Sequence, residues 1–150
     1  MKRNIRLLAA VLFLSAIAAF GQTNFTEQVL SLWYSGQKTN VLIIAEQRLQ
    51  QNTNDIAGLI LKMEYEIEYL QLDQATNTMD RVLQVGSTIT SSNFAACYPK
   101  LEGSINHLKT MIPLYPPDEL VADQGKCNIS GKPLPSKDVL KALQDDGYFE

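Results

Sequence analysis

Two cysteines and a single histidine carry the greatest capacity for chemistry in this chain of 150 residues. Cys97 and His107 could act as a thiol–imidazole pair, in which the imidazole takes the thiol proton and the thiolate attacks a carbonyl carbon. The residues beside them match no thiol-protease motif, so a small secreted enzyme that uses this pair is kept only as an alternative. One histidine is too few for a three-residue zinc site, and the sequence predicts no metal and no cofactor.

The two cysteines could also pair with each other. Two is an even number, and a disulfide is the expected state of such a pair in a chain that leaves the reducing cytosol. The bond would join Cys97 to Cys127. By restricting the unfolded chain it would stabilise the fold by about 3 to 4 kcal/mol. It would also tie the proline-rich region that begins at Pro113 to the preceding helices.

Acidic and aromatic side chains on one predicted helix form a candidate binding surface. Glu64 and Glu68 are four residues apart and therefore share a helix face, which could hold a cation or, if it lines a groove, a basic peptide. Such spacing is also common on exposed faces, so a solvated acidic ridge is the alternative. With the neighbouring aromatic residues included, the predicted binding residues are Tyr34, Glu64, Tyr65, Glu68 and Tyr69.

The N-terminal segment, from Met1 to Gly21, has the three regions of a secretory signal peptide. A basic head precedes an apolar run from Leu7 to Phe20, and small residues lead up to Gly21. The apolar run is shorter than the roughly 20 residues that a transmembrane helix needs. We therefore expect cleavage after Gly21, export to the periplasm or the extracellular space, and no stable membrane insertion.

Charge narrows the choice of partners. The chain carries 13 basic and 16 acidic side chains, a formal net charge of −3. Cleavage after Gly21 would remove three basic groups and no acidic group, which leaves a net charge of −6. Such a chain has no basic surplus to neutralise phosphates, so nucleic acid is not an expected partner. Long-range attraction favours a basic protein or peptide.

Apolar residues recur with a helical period along most of the chain after residue 24, and no stretch alternates in the manner of a strand. Helices are predicted at 24–36, 39–51, 74–85, 92–112 and 136–147; Asn24 caps the first, and the fourth begins either near Ser92 or at Pro99. The clearest helix spans 56–72, where apolar residues at spacings of three and four form a continuous stripe of Ile56, Leu59, Ile60, Met63, Ile67 and Leu70. The predicted fold class is all-α.

Apolar positions of the first four predicted helices repeat when the sequence is shifted along itself by a constant interval. The aligned pairs are Val29 with Met63, Trp33 with Ile67, Val41 with Ala75, Ala45 with Met79, and Leu49 with Leu83. Helix–turn–helix units with this period of about 34 residues resemble tetratricopeptide repeats. Over residues 22–88, Ala75 stands where those repeats place a small residue, and Gly36 falls in the turn between helices.

The resemblance implies stacked antiparallel helical hairpins, which expose an extended surface for a protein or peptide partner and need no catalytic residues. The predicted organisation is a signal peptide (1–21), a tetratricopeptide-like helical domain (22–112) and a Pro/Gly-rich, disulfide-tied extension with a short closing helix (113–150). A helical bundle without a groove, of structural or inhibitory function, is the alternative.

The position of the signal peptide makes a direct prediction. Because the small-residue step ends at Gly21, the exported chain should begin at Gln22. N-terminal sequencing and intact-mass measurement of the protein recovered from the exported fraction would check this. A chain that still carries its basic head would contradict the cleavage.

Overall fold

The computed structural model describes residues 24–114 and 136–149. No strand occurs among them, which confirms the all-α fold class. A single-turn 3₁₀ helix, Ile112–Leu114, follows the fifth α-helix. The α-helices are α1 (Phe25–Tyr34), α2 (Lys38–Gln51), α3 (Ile56–Glu68), α4 (Leu72–Gly86), α5 (Ser92–Met111) and α6 (Ser136–Asp145). The predicted signal peptide, most of the predicted extension and Cys127 lie outside the described residues.

Helix α3 is the element around which the others pack. It contacts α2 and α4 extensively, and α6 also packs against it. Its apolar side chains are buried on more than one side, and Ile60 and Met63 are fully enclosed. Each such side chain stabilises the fold by about 1.5 to 3 kcal/mol relative to the exposed state. They join the buried residues of the other helices in one hydrophobic core.

The turn between α1 and α2 and the turn between α3 and α4 have the same backbone geometry. In the first, Gly36 has a φ of 80°, and the next N–H donates to the Leu32 carbonyl at 2.9 Å. In the second, Leu70 has a φ of 56°, and the next N–H donates to the Glu66 carbonyl at 2.8 Å. A left-handed residue with this hydrogen bond is a common helix stop. The two turns, and the helix starts that follow them, are separated by the interval of the sequence repeat.

Leu70 also makes α3 shorter than its apolar spacing predicts. The spacing predicted one helix from Ile56 to Leu72, whereas α3 ends at Glu68 and Leu72 begins α4. Left-handed backbone costs a residue with a Cβ about 1 to 2 kcal/mol. Because the Leu70 side chain packs against the hydrophobic core, its burial offsets that cost. Hydrophobic periodicity alone does not register such a break, since the apolar spacing continues across it.

Two helix starts, those of α1 and α3, are capped by the side chain of the preceding residue. Asn24 accepts a hydrogen bond from the Glu27 N–H at 2.8 Å, as the sequence predicted. Asp55 caps α3 by accepting from the Gly58 N–H at 2.6 Å. Two nitrogens of Arg48 also donate to Asp55, each at 2.7 Å, and this bidentate pair joins the end of α2 to the start of α3.

Helix α5 continues through Pro99, so the longer of the two predicted starts, near Ser92, is correct. The helix contacts α4 through Tyr98, whose hydroxyl donates to the Leu83 carbonyl at 3.0 Å. The ring lies directly on Gly86, where an added Cβ would be 2.5 Å from a ring carbon. However, α5 packs more extensively on α6 than on α4. The contact between α4 and α5 is therefore much smaller than the contact between α2 and α3.

Helix α6 closes the structure. It packs against α1, α3 and α5, and the side chains of Val139, Leu140 and Leu143 are fully buried. Its last helical residue is Asp145, and Gly147, the predicted stop, follows with a φ of 79°. Just before that glycine, Asp146 accepts hydrogen bonds from the N–H groups at the start of α5, including that of Phe94 at 2.9 Å. Asp146 therefore caps a helix that begins much earlier in the chain.

Phe149, which lies after α6, packs against Phe25 at the start of α1. The ring centroids of Phe149 and Phe25 lie 4.3 Å apart, and the Arg48 guanidinium lies 4.9 Å from each of them. These cation–π contacts fix the chain end against α1 and α2. Phe149 thus docks on the body of the structure, whereas the neighbouring Tyr148 remains 43% exposed.

The cap made by Asp146 predicts a pH-dependent contribution to stability. Hydrogen bonds from the N–H of Phe94, and then from its neighbours, lower the pKa of this carboxyl below its ordinary value of 3.8. A lowered folded-state pKa stabilises the fold above the ordinary value, and the contribution is lost as pH falls through the lowered one. Asp146→Ala should therefore reduce the free energy of unfolding at pH 6, and the difference from wild type should shrink below pH 3.8.

Urea titrations of both proteins at several pH values would measure that difference. Asp146→Asn is the matched control, since its side-chain oxygen still accepts a hydrogen bond but carries no charge. A difference between Asp146→Ala and wild type that is the same at pH 6 and at pH 2 would contradict the expectation.

Candidate functional site

The structure brings together three of the predicted binding residues on the last turns of α3. The rings of Tyr65 and Tyr69 have their centroids 4.4 Å apart and their planes inclined by 33°. Tyr69 is 47% exposed, and Glu68 between them in sequence is also exposed. Together with Tyr34, these residues are called the aromatic edge below.

A lysine connects the two parts of the aromatic edge. Lys38, at the start of α2, forms an ion pair with Glu68 at the end of α3. The same ammonium lies 5.2 Å from the centroid of Trp33, which precedes Tyr34 at the end of α1. Trp33 is partly buried against the core, as predicted, whereas Tyr34 is 75% exposed. The edge therefore combines anchored and exposed aromatic side chains around one ion pair.

Glu64 does not belong to this exposed surface. Only 8% of it is exposed, and Glu66 on the same helix is buried to a similar degree. An acidic ridge along α3 is therefore not observed: of the three glutamates on its last turns, Glu68 alone is exposed. The reason is that several helices cover α3, so the face beside its apolar stripe is also enclosed.

A second surface, which the sequence analysis missed, lies between α2, α3 and α4. It is a polar cleft of about 480 Å³. Polar residues of α4 at helical spacing form one wall. This polar stripe is the feature of the sequence from which the cleft could have been predicted. The lining consists of Leu42, Glu46, Lys62, Glu66, Gln71, Gln74, Asn77, Thr78 and Arg81.

Glu66 is the enclosed charge of the polar cleft. The Thr78 hydroxyl donates to one of its carboxylate oxygens at 2.6 Å, and Lys62 Nζ lies 3.9 Å from the other. Burial raises the pKa of Glu66, while the Thr78 hydrogen bond and the Lys62 charge oppose that rise. The carboxylate thus has one short hydrogen bond and a loosely placed cation, and it would gain from a better-placed positive charge.

The structure separates Cys97 from His107. Both lie on α5, ten residues apart, which corresponds to about 15 Å along the helix axis. Burial also raises the pKa of the Cys97 thiol, whose sulfur donates to the Phe94 carbonyl at 3.3 Å. A thiolate activated by a nearby imidazole needs the opposite arrangement. The geometry therefore disfavours a nucleophilic Cys97–His107 pair.

Among the described residues Cys97 has no disulfide partner, and Cys127 lies outside them. Within 24–114 and 136–149, no three His, Cys, Asp or Glu side chains are grouped to hold a metal ion. None of the helices in those ranges is both long and apolar enough to cross a membrane.

Comparisons with known proteins add no assignment. The chain matches no protein-family model, no curated protein and no solved structure.

The state of Cys97 can be predicted from its surroundings and from the expected export. We expect a bond to Cys127, because a partly buried thiol with a raised pKa is a poor nucleophile but a suitable structural cysteine. The unreduced exported protein should resist alkylation, and its digest should contain a linked pair of cysteine peptides that separates on reduction. Rapid alkylation of Cys97 at neutral pH would contradict the disulfide and revive the enzyme alternative.

Proposed function

We infer that this chain is an exported, non-enzymatic helical-repeat scaffold that binds a protein or peptide partner. The observation that carries the proposal is the repetition of the two inter-helix turns, at Gly36 and Leu70, with the same hydrogen bonds. Their separation equals the repeat period of about 34 residues and supports the resemblance of the segment 22–88 to tetratricopeptide repeats. Repeats of this class bind partners through extended surfaces.

Burial within the two proposed repeats supports the same interpretation. In three of the five aligned pairs both positions are fully buried, since none of these six residues is more than 1% exposed. The three pairs are Val29 with Met63, Val41 with Ala75, and Ala45 with Met79. Equivalent burial is expected when each hairpin packs against the next in the same way.

The chain itself limits where a partner can bind. Helix α6 covers α1, α3 and α5, which would be the first helices of successive hairpins. The face that these helices share is therefore occupied, and the partner surface that we propose is the aromatic edge. Exposed tyrosines provide large, amphipathic contact area at low entropic cost, and aromatic side chains dominate many interfaces.

A structural or inhibitory bundle is the second candidate function. The packing of α6 on α1 and α5 favours it, because a helix that closes that face leaves no groove there. The two candidates differ in one respect: only the scaffold requires the exposed tyrosines to contribute binding energy.

Affinity capture from the native exported fraction distinguishes them. We expect the whole chain to retain a protein partner, and the double variant Tyr34→Ala/Tyr69→Ala to lose affinity for it by about tenfold or more. Ile43→Ala is the matched control, because Ile43 is an exposed apolar residue of α2 outside the aromatic edge. Titration of the captured partner by calorimetry measures the loss.

Retention of no protein above background would contradict the scaffold and favour the bundle. Equal affinity of the double variant and the Ile43→Ala control would show that the aromatic edge is not the binding surface.

A further inference from the structure

We propose that the polar cleft between α2, α3 and α4 binds an extended, basic peptide segment, with a lysine or arginine side chain directed at Glu66. The inference rests on the proposed function, since it assigns the partner a chemical character and a second contact surface. Three properties of the cleft support it: the length, the polar groups along the wall and the charge of Glu66.

The length of the cleft suits an extended segment of a few residues. One wall runs from Gln71, the N-cap of α4, along that helix to Arg81, ten residue steps that span about 15 Å. An extended chain advances about 3.3 Å per residue, so four or five residues match that length. A volume of about 480 Å³ is within the range of ligand sites in proteins.

The wall of the cleft matches the polar groups of a peptide backbone. Gln71, Gln74 and Asn77 lie along α4 within that wall. Each carboxamide both donates and accepts hydrogen bonds, as an extended peptide requires for its N–H and C=O groups. An extended segment leaves those groups without intrachain partners, so three carboxamides in a row would satisfy several of them.

The charge of Glu66 favours a cation. Glu66 lies enclosed in α3 with 3% exposure. The lining carries two carboxylates, Glu46 and Glu66, and two cations, Lys62 and Arg81, so its formal charges balance. However, Arg81 donates to the Thr53 carbonyl, and Lys62 stays 3.9 Å from Glu66, which is longer than a hydrogen bond. The enclosed carboxylate therefore has no charge-assisted hydrogen bond from either of these cations.

The cationic side chain of the ligand would displace Lys62 from Glu66. Its side chain is 35% exposed, so its flexible stem can turn into solvent when an incoming ammonium or guanidinium reaches Glu66. The exchange replaces a loose ion pair by a charge-assisted hydrogen bond. One end of the cleft, at Gln71, is two residues from Tyr69, so a partner chain leaving the cleft would meet the aromatic edge.

The test uses the whole ¹⁵N-labelled chain and two blocked pentapeptides of glycine, with lysine or uncharged norleucine in the centre. NMR titration follows the side-chain amides of Gln74 and Asn77. We expect the lysine peptide to bind about tenfold more tightly than the norleucine peptide. Glu66→Gln should abolish that preference, and its amide oxygen can still accept the hydrogen bond from Thr78.

For Lys62→Met we expect the opposite effect, a gain in affinity for the lysine peptide. Removal of the internal competitor should strengthen binding of the lysine peptide by about threefold, whereas a merely structural role of Lys62 would not. Glu102→Gln is the matched control, because Glu102 is an exposed carboxylate of α5 outside both the cleft and the aromatic edge, and it should leave binding unchanged. If Glu66→Gln does not fold, as judged by thermal unfolding, Lys62→Met and the norleucine peptide decide the question.

Equal binding of the two peptides, no shift of the Gln74 and Asn77 amides, or weaker binding to Lys62→Met would each overturn the inference. The proposed function fails separately. A partner that depends on Tyr34 and Tyr69, with no peptide binding in the cleft, supports the scaffold without this site. Lysine-peptide binding with no captured partner supports the cleft without the scaffold.

Discussion

The structure depends on the need to cover α3. This helix is apolar around most of its circumference, and a helix of that kind is stable in water only when neighbours enclose it. Helices α2, α4 and α6 meet that need. The close packing on α2 requires a glycine, since a Cβ at Gly58 would lie 3.1 Å from the Ala45 carbonyl oxygen. Asp55 and Arg48 then hold the same two helices together by a bidentate ion pair.

Enclosure of α3 also determines which of its polar residues are available. Glu64 and Glu66 are buried together with the apolar side chains, and Glu66 accepts a hydrogen bond from Thr78 of α4. The end of α3 is free of this constraint, so Tyr69 and Glu68 reach solvent there. The aromatic edge and the polar cleft are thus two results of the same packing, one beyond the enclosed part of α3 and one within it.

The sequence was sufficient for features that depend on neighbouring residues. Helical periodicity identified the helices, and the stops at Gly36 and Gly147 followed from the freedom of glycine to adopt positive φ. The cap at Asn24 was equally local. The break at Leu70 was not predictable, because a leucine in left-handed conformation is stabilised by contacts with distant residues rather than by its own preference.

The candidate site was only partly predictable for the same reason. Tyr69 and Glu68, which the sequence analysis identified as candidate binding residues, are exposed because they lie at the end of α3, beyond the part that other helices enclose. Burial of Glu64 depends on which helices lie over α3, and no spacing in the sequence contains that information. The polar cleft likewise exists only because α2 and α4 both pack on α3, so its lining residues are brought together by the fold.

The contacts of the chain end have a consequence for the timing of folding. Phe149 packs on Phe25 and Arg48, and Asp146 completes the start of α5. Contacts between such distant positions form only after residues 146–149 have been synthesised. The native packing of α1 and α5 is therefore completed late, and a chain exported before it folds would complete that packing on the far side of the membrane.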